Sequence, residues 1–211
     1  LRREYNTSLY DINNECFTDI SLNLEDIYSA LHKNKKYAIH QGERMWDYEV
    51  ITRYDSDEII DGIFECFETF HISVAGKRTR SHRTWQRQSI ALKNTNDFIV
   101  VLRDKEKKIV GMSLYCCTST SCTYSVAVYD RSLFDKPVSH LSHWVAIKHC
   151  KKLGIKWYYV GYRPYENDKS NPTEKELSIG FFKSVDKYFT ITGIIGEVVS
   201  IKMLKPQEQG A

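Results

Sequence analysis

Between positions 97 and 130 three runs rich in β-branched and aromatic residues follow one another, DFIVVLRD, KIVGMSLYCCTS and CTYSVAVYD, separated by the charged turn KEKK and by a Thr/Ser turn. Such residues suit a pleated, half-buried surface, and short polar turns between the runs bring neighbouring strands back on one another. The pattern predicts an antiparallel meander of three strands. After a loop containing Asp135 and Pro137, VSHLSHWVAIKHCKKLG reads as a helix, with a basic last turn and Gly154 just past its end. KWYYVGY is the next strand. A sheet with helices laid on it is the layered arrangement this order implies.

Upstream, SLNLEDIYSALHKNKKYAIHQGER begins at a capping Ser21 and repeats apolar residues at Leu24, Ile27, Tyr28 and Leu31, the spacing of an amphipathic helix with a basic end. YEVITRY alternates as a strand over 48–54. DSDEIIDGIFECFETFHISV opens on acidic residues, carries Ile59, Ile60, Ile63, Phe64 and Phe67 at helical spacing and is broken near Gly76. SHRTWQRQSIALKN, 81–94, makes a third helix. Downstream, PYENDKSNPT is a long polar loop, and Thr173 with Glu176 forms a capping box for the helix TEKELSIGFFKSVDKYF. The strand GIIGEVVSIKML comes next. No repeat or linker interrupts 21–204, which reads as one α/β (α+β) domain with about four helices around a mixed sheet. Residues 1–20 are an N-terminal extension and 205–211 a tail. The chain opens on Leu1 rather than Met and runs straight into strand-like sequence, as a piece of a longer protein would.

A chain of 211 residues with 42% hydrophobic and 27% charged residues can bury a sizeable core, and with 4 Pro and 10 Gly it is neither collagenous nor largely disordered. The net charge of +3 is too small to imply nucleic-acid binding by itself. No run approaches the ~18 to 20 apolar residues of a membrane span, and LRREYNTS lacks the apolar stretch of a signal peptide. A soluble cytoplasmic protein is expected, with its six cysteines reduced.

Cys116, Cys117 and Cys122 raise the question of a metal. Adjacent residues of a hairpin strand point to opposite faces and no C-x-x-C spacing is present, so core packing is favoured and no metal is expected. HExxH, GxSxG, Walker A and GxGxxG motifs do not occur in the sequence. His140 and Trp144, four residues apart, share one face of their helix; a histidine there can move a proton near neutrality, or can simply fix the preceding loop. His143 and His149 are expected in solvent. Lys33, Lys35 and Lys36, and a second cluster running from Lys77 through Arg78, Arg80, His82 and Arg83 to Arg87, suit a pyrophosphate or RNA backbone as well as they suit plain solvation. Lys183, beside Phe181 and Phe182 on a helix that comes after the long loop, can stabilise an oxyanion or serve as an interface lysine.

The stretch GMSLYCCTSTSCTYSVAVYDRSLFDKPVSHLSHWVAIKHCKKLGIKWYYVGYRP, with NPTEKELSIGFFKSVDKYF after it and FTDISLNLEDIYSALHKNKKYAIHQGER before it, resembles the FemAB-like peptidyl and acyl transferases, whose fold is related to that of GNAT acetyltransferases. The resemblance covers roughly residues 17–200 and corresponds to the second of two GNAT-like halves. It implies a transferase in which Phe182 and Lys183 match a Phe-Lys pair of the aminoacyl-transfer channel. It also implies that the first half is absent or vestigial here, leaving residues 1–20 as a remnant of it and a homo-oligomer or a missing N-terminal half as the partner. The GNAT pyrophosphate loop R/QxxGxG/A is missing, and Lys36 and Tyr37 stand where the family pattern usually has Arg.

The resemblance implies an acyl or aminoacyl transferase without a permanently bound cofactor. An amine on a sugar, peptide or nucleotide-linked cell-envelope precursor attacks a carbonyl supplied by aminoacyl-tRNA or acyl-CoA. Lys183 and His140 are the expected catalytic residues. Tyr129, Asp130, Trp144, Tyr162, Arg163 and Phe182 are expected to bind substrate, and Lys36, Arg78, Arg80 and Arg87 to contact phosphate or RNA. Two other readings compete: an acetyl-CoA-dependent sugar amine acyltransferase of polysaccharide synthesis, and a non-catalytic half that binds RNA or a partner through Lys77 to Arg87.

Overall fold

The computed structural model describes the backbone of residues 12–162, 164, 171–184, 189–194 and 197–203, and the side chains of 16–162, 164, 171–178 and 180. The chain divides into two compact units, residues 1–32 with 157–211 and residues 33–156. Among the described residues no helix is long and apolar enough to cross a membrane.

The unit of residues 33–156 contains the meander. Strands β2 (Asp47–Ile51), β3 (Phe98–Arg103), β4 (Ile109–Cys117) and β5 (Ser121–Tyr129) pair in that order. Each neighbouring pair is antiparallel, with Val50 opposite Val100, Val101 opposite Met112 and Met112 opposite Val128. Helices α2 (Lys33–Met45), α3 (Asp57–Ala75), α4 (His82–Asn94) and α5 (Val138–Lys152) belong to this unit.

Strand alternation separates the unit's two apolar layers. Ile99, Val101, Met112, Leu114, Val126 and Val128 face α3 and α4 and form one cluster with Ile60, Phe64, Phe67, Trp85 and Leu92. The intervening residues turn to the other face. There Phe98, Val100 and Leu102 are fully buried, as is Leu141 on α5, the helix that packs over β3, β4 and β5. α2 closes against α5 at Gly42, where a Cβ would come within 3.0 Å of the Leu141 Cβ.

The helix boundaries follow local chemistry. Ser56 and Ser81 cap α3 and α4, their side chains accepting from the N–H of Ile59 and Thr84, and Gly76 ends α3 at φ 71° in the left-handed region where glycine is unstrained. The helix expected from Ser21 is two helices. Asp19 takes both the N–H and the hydroxyl of Ser21, at 2.8 and 2.6 Å, so the cap falls to Asn23 and α1 runs Leu24–Ala30. Leu31 is extended, and a new helix begins at Lys33. Lys33, Lys35 and Lys36 therefore open α2 instead of closing a first helix.

The other unit holds β1 (Ile12–Asp19), β6 (Trp157–Tyr162), β7 (Phe189–Ile194) and β8 (Glu197–Met203), with α1 and α6 (Glu174–Ser184). β1 is paired antiparallel with β6 on one side and with β7 on the other, and β7 with β8. Residues 12–19 of the expected extension thus form a strand with partners on both edges. A register shift between Cys16 and Phe17 lies where Cys16 faces Gly161, whose φ of 111° a side chain would rarely allow. The capping box forms as expected: Glu176 Oε2 accepts from the Thr173 N–H at 2.7 Å, and the Thr173 hydroxyl accepts from the Glu176 N–H at 3.3 Å. The helix it starts is described over Glu174–Ser184, and the expected last residue, Phe189, instead opens β7. The final strand is a pair, β7 and β8, because 189–194 and 197–203 hydrogen-bond to each other.

Candidate functional site

The α5 face of the β4–β5 hairpin carries a row of hydroxyls. Ser113 and Tyr115 come from alternate positions of β4, Tyr124 and Tyr129 from β5, and Ser142 from α5. Ser113 Oγ lies 2.5 Å from Ser142 Oγ and 3.3 Å from the Tyr129 hydroxyl, Ser142 Oγ lies 3.0 Å from the Tyr115 hydroxyl, and the Tyr124 and Tyr129 hydroxyls are 3.4 Å apart. Ser113, Tyr115 and Ser142 are completely buried, whereas Tyr124 and Tyr129 keep part of their surface exposed. The chain runs from interior to surface through hydrogen-bonded oxygens. Gly111, opposite Tyr129 in the ladder, makes room for the Tyr129 ring, which a Cβ there would meet at 2.5 Å.

Burial pushes the Tyr115, Tyr124 and Tyr129 phenols above the ordinary tyrosine value. They are therefore protonated at neutral pH and can donate hydrogen bonds, but they do not supply a phenolate base. Removing the central oxygen should be costly. A Ser142→Ala chain takes a partner from two buried hydroxyls at once and is expected to lose about 1–3 kcal/mol of stability in urea unfolding. An unchanged midpoint would mean that these oxygens are not held as described.

Aromatic rings line the same face. Phe98 stacks on Tyr115 at 4.8 Å between centroids and meets the His149 ring at 4.4 Å, Tyr115 and Tyr124 are 5.7 Å apart, and Tyr124 meets His143 at 4.5 Å. His143 and His149 are accordingly not solvated residues, a correction to the sequence expectation. Burial holds His149 below the usual histidine value. His140 is half-buried in the first turn of α5, and Trp144, one turn later, is buried at 7% exposure. Asp130, just past β5, spends one carboxylate oxygen on Ser132, accepting from its N–H at 2.9 Å and its hydroxyl at 2.7 Å, while the other lies 3.8 Å from Lys108.

The remaining expected residues belong to the other unit. Tyr162 ends β6 and is half-buried. Phe182 and Lys183 are in the last turns of α6, with side chains outside the described residues, and Arg163 also lies outside them. Tyr129, Asp130, His140 and Trp144 are on the unit of residues 33–156.

Two members of the second basic cluster pair with an acid of the protein itself. Glu68 of α3 is buried at 7% exposure, bonds Arg78, and has its other oxygen 2.6 Å from His82 Nδ1. The Arg80 guanidinium sits 5.9 Å over the Trp85 ring. Arg87 is exposed on α4, and Lys36 is half-buried on α2. Glu68 carried no sequence motif; a single acid on the inward face of an apolar helix, placed before an arginine-rich segment, was the available signal. Burial pushes its carboxyl up, and the hydrogen bonds from His82 and Arg78 outweigh this and hold it below the ordinary glutamate value. A depressed carboxyl stabilises the fold above the unfolded-state pKa, and that contribution fades as pH falls through the native one. The parent should therefore exceed Glu68→Gln by about 2 kcal/mol near neutrality and converge with it in acid. Unfolding curves across that range test this, and a gap independent of pH would refute it.

Of the cysteines, Cys116 turns toward the α3–α4 layer, where burial pushes its thiol up to about 11. Cys117 turns the other way, as alternation requires, and its sulfur, that of Cys122 and that of Cys150 on α5 all lie within 4.8 Å of one another. Core packing alone was the expectation for Cys117 and Cys122; Cys150, distant in sequence, gave no spacing that would join it to them.

These elements make an α+β protein with the GNAT-related fold of the FemAB-like transferases. The fold is shared with FemX at a TM-score of 0.64 and 10% identity, over 84% of this chain and 59% of that one. It is shared with the C-terminal domain of a protein assigned as a lysylphosphatidylglycerol synthetase from Agrobacterium fabrum at 0.61 and 11% identity, over 88% and 61%. L-PGS from Bacillus licheniformis gives 0.60 and 14% identity, over 88% and 60%. The chain thus spans about three fifths of the length of each of these structures. No protein-family model and no curated protein matches the sequence.

Proposed function

We propose that the chain is an acyl or aminoacyl transferase whose acceptor is an amine on a sugar, peptide or cell-envelope precursor. The observation that carries this reading is the FemX fold over 84% of the chain, together with the same fold in a domain named for lysylphosphatidylglycerol synthesis and in L-PGS. The donor is an aminoacyl-tRNA or an acyl-CoA. The amine lone pair attacks the donor carbonyl, a C–N bond forms, and the carbonyl oxygen takes up negative charge. Collapse of this intermediate expels the tRNA hydroxyl or the CoA thiol, and the proton lost by the amine ends on that leaving group.

The residues take roles that suit their chemistry. Lys183 offers an ammonium to the developing oxyanion, and His140 accepts the amine proton. Tyr129, kept protonated by burial, is a hydrogen-bond donor that positions substrate, with Trp144, Tyr162, Arg163 and Phe182 as further contacts. Asp130 is already engaged with Ser132 and acts mainly by holding the end of β5. The alternative of an RNA-binding half would draw on Lys77, Arg83 and Arg87, which are exposed, since Arg78 and His82 already pair with Glu68.

A ligand that binds only the folded state raises its melting temperature, by an amount that grows with concentration over Kd. Thermal unfolding of the chain with acetyl-CoA, longer acyl-CoAs, several aminoacyl-tRNAs and UDP-linked amino sugars is expected to show stabilisation by one donor class. A CoA-specific rise would select acyl transfer and a charged-tRNA-specific rise aminoacyl transfer. Stabilisation by uncharged RNA alone, lost steeply with salt, would favour the RNA-binding reading instead.

A further inference from the structure

The turn end of the β4–β5 hairpin and the last turn of α5 bring three sulfurs together. Cys117 and Cys122 are a cross-strand pair flanking the turn, and Cys150 approaches from the helix above. The turn is held by the Thr118 N–H donating to the Ser121 carbonyl at 2.8 Å, and the end of β4 by the Cys117 N–H donating to the Asp97 carboxylate at 2.8 Å. The helix end is fixed as firmly, since the Cys150 carbonyl accepts from the N–H groups of Leu153 and Ile155 at 3.1 and 3.0 Å. Cys122 and Cys150 are fully buried and Cys117 half-buried. Convergence of all three Sγ atoms within 4.8 Å, from elements whose backbones are separately anchored, exceeds what packing small apolar residues requires.

We propose that Cys117, Cys122 and Cys150 form a three-thiolate site for a thiophilic d10 cation, Zn2+ or Cu+. Zinc–sulfur bonds of about 2.3 Å in tetrahedral array set sulfurs roughly 3.8 Å apart, so only a small contraction of the observed trio is needed. Thiolates are the soft ligands that both ions select. Three protein ligands complete a trigonal Cu+ site, whereas Zn2+ would take a fourth ligand from outside the trio. Each thiol that binds replaces its S–H bond with a sulfur–metal bond and releases its proton to solvent. The bound ion would tie α5 to the β4–β5 hairpin beneath it. This site is independent of the transferase reading, because none of its residues has a part in that chemistry.

The test uses the whole reduced chain, stripped with a chelator and titrated separately with Zn2+ and with Cu+ against competing chromophoric chelators. One ion per chain is expected for at least one cation, with the half-buried Cys117 protected from thiol reagents in the native protein and a higher melting temperature. Cys117→Ser and Cys150→Ser should each weaken binding by at least about 100-fold, the upper range for loss of even an outer-shell partner. Cys66→Ser, on α3, should bind as the parent does. Should Cys150→Ser fail to fold, the half-exposed Cys117→Ser and the parent titration still decide the matter. Absence of stoichiometric binding by either ion to folded, reduced protein overturns the site. So does equal affinity in Cys117→Ser, or a Cys117–Cys122 disulfide formed in place of metal retention.

Discussion

A Lys183→Met chain is expected to transfer its acyl group about 100- to 1,000-fold more slowly than the parent while unfolding at the same temperature. Acyl transfer from an ester or thioester to an amine needs alignment and charge stabilisation more than a covalent nucleophile. The barrier lies near the tetrahedral intermediate, where the former carbonyl oxygen carries most of the charge. A cation aimed at that oxygen strengthens its hold as the charge appears and so lowers the barrier without tightening ground-state binding. Met preserves the length and apolar stem of Lys and removes only the charge. Lys183 lies in the last turns of α6, a helix whose first turn is fixed by the Thr173–Glu176 capping box, so its backbone position should survive the substitution. The split between kcat and KM distinguishes the roles: loss in kcat with KM unchanged fits oxyanion stabilisation, and loss in KM alone fits substrate binding. Undiminished turnover would remove Lys183 from the chemistry.

Trp85→Ala should be the more damaging change to the fold, with about 3–5 kcal/mol of stability lost. Trp85, on α4, is buried at 2% exposure against α3. Its ring lies 5.0 Å from Phe67 and 5.6 Å from His71, with Arg80 stacked 5.9 Å above it. Deleting the indole leaves a cavity that its neighbours fill only in part, and it takes from Arg80, in the segment joining α3 and α4, the ring beneath its guanidinium. For a chain of this size the melting temperature should fall by roughly 10 °C. Trp85→Phe, which keeps an aromatic partner for Phe67, should recover at least half of the loss. If Trp85→Ala melts as the parent does, α4 does not belong to the cluster described.

The meander and α5 could be read from sequence because their signals are local: β-branched runs, polar turns, and a basic helix end before Gly154. The helix boundaries that differ turned on competition between neighbouring side chains. Ser21 is a good cap by type, yet Asp19 two residues earlier takes its hydroxyl and leaves the capping to Asn23. Similarly, GIIGEVVSIKML looks continuous because no Asn-Gly pair announces the break between β7 and β8. At the site, individual residues such as Tyr129 and His140 could be singled out, but their surroundings could not. Ser113 and Ser142 are ordinary serines in sequence, and only the packing of α5 across β4 sets their oxygens 2.5 Å apart. The same holds for Cys150, which is 28 positions beyond Cys122 and meets it only in three dimensions. The basic segment around Arg80 shows the converse. A cluster of cations suggests an anion, and the anion for two of its members proves to be Glu68.

A transfer assay bears most directly on the proposed chemistry. The purified chain would be given labelled acyl-CoAs or charged tRNAs with amine acceptors, UDP-linked amino sugars and short peptides among them, and the acceptors analysed by mass spectrometry. A new amide on an acceptor amine, formed from one donor class, dependent on the protein and lost in Lys183→Met, is the result expected. Folded protein that leaves every acceptor unmodified with both donor classes would contradict a transferase.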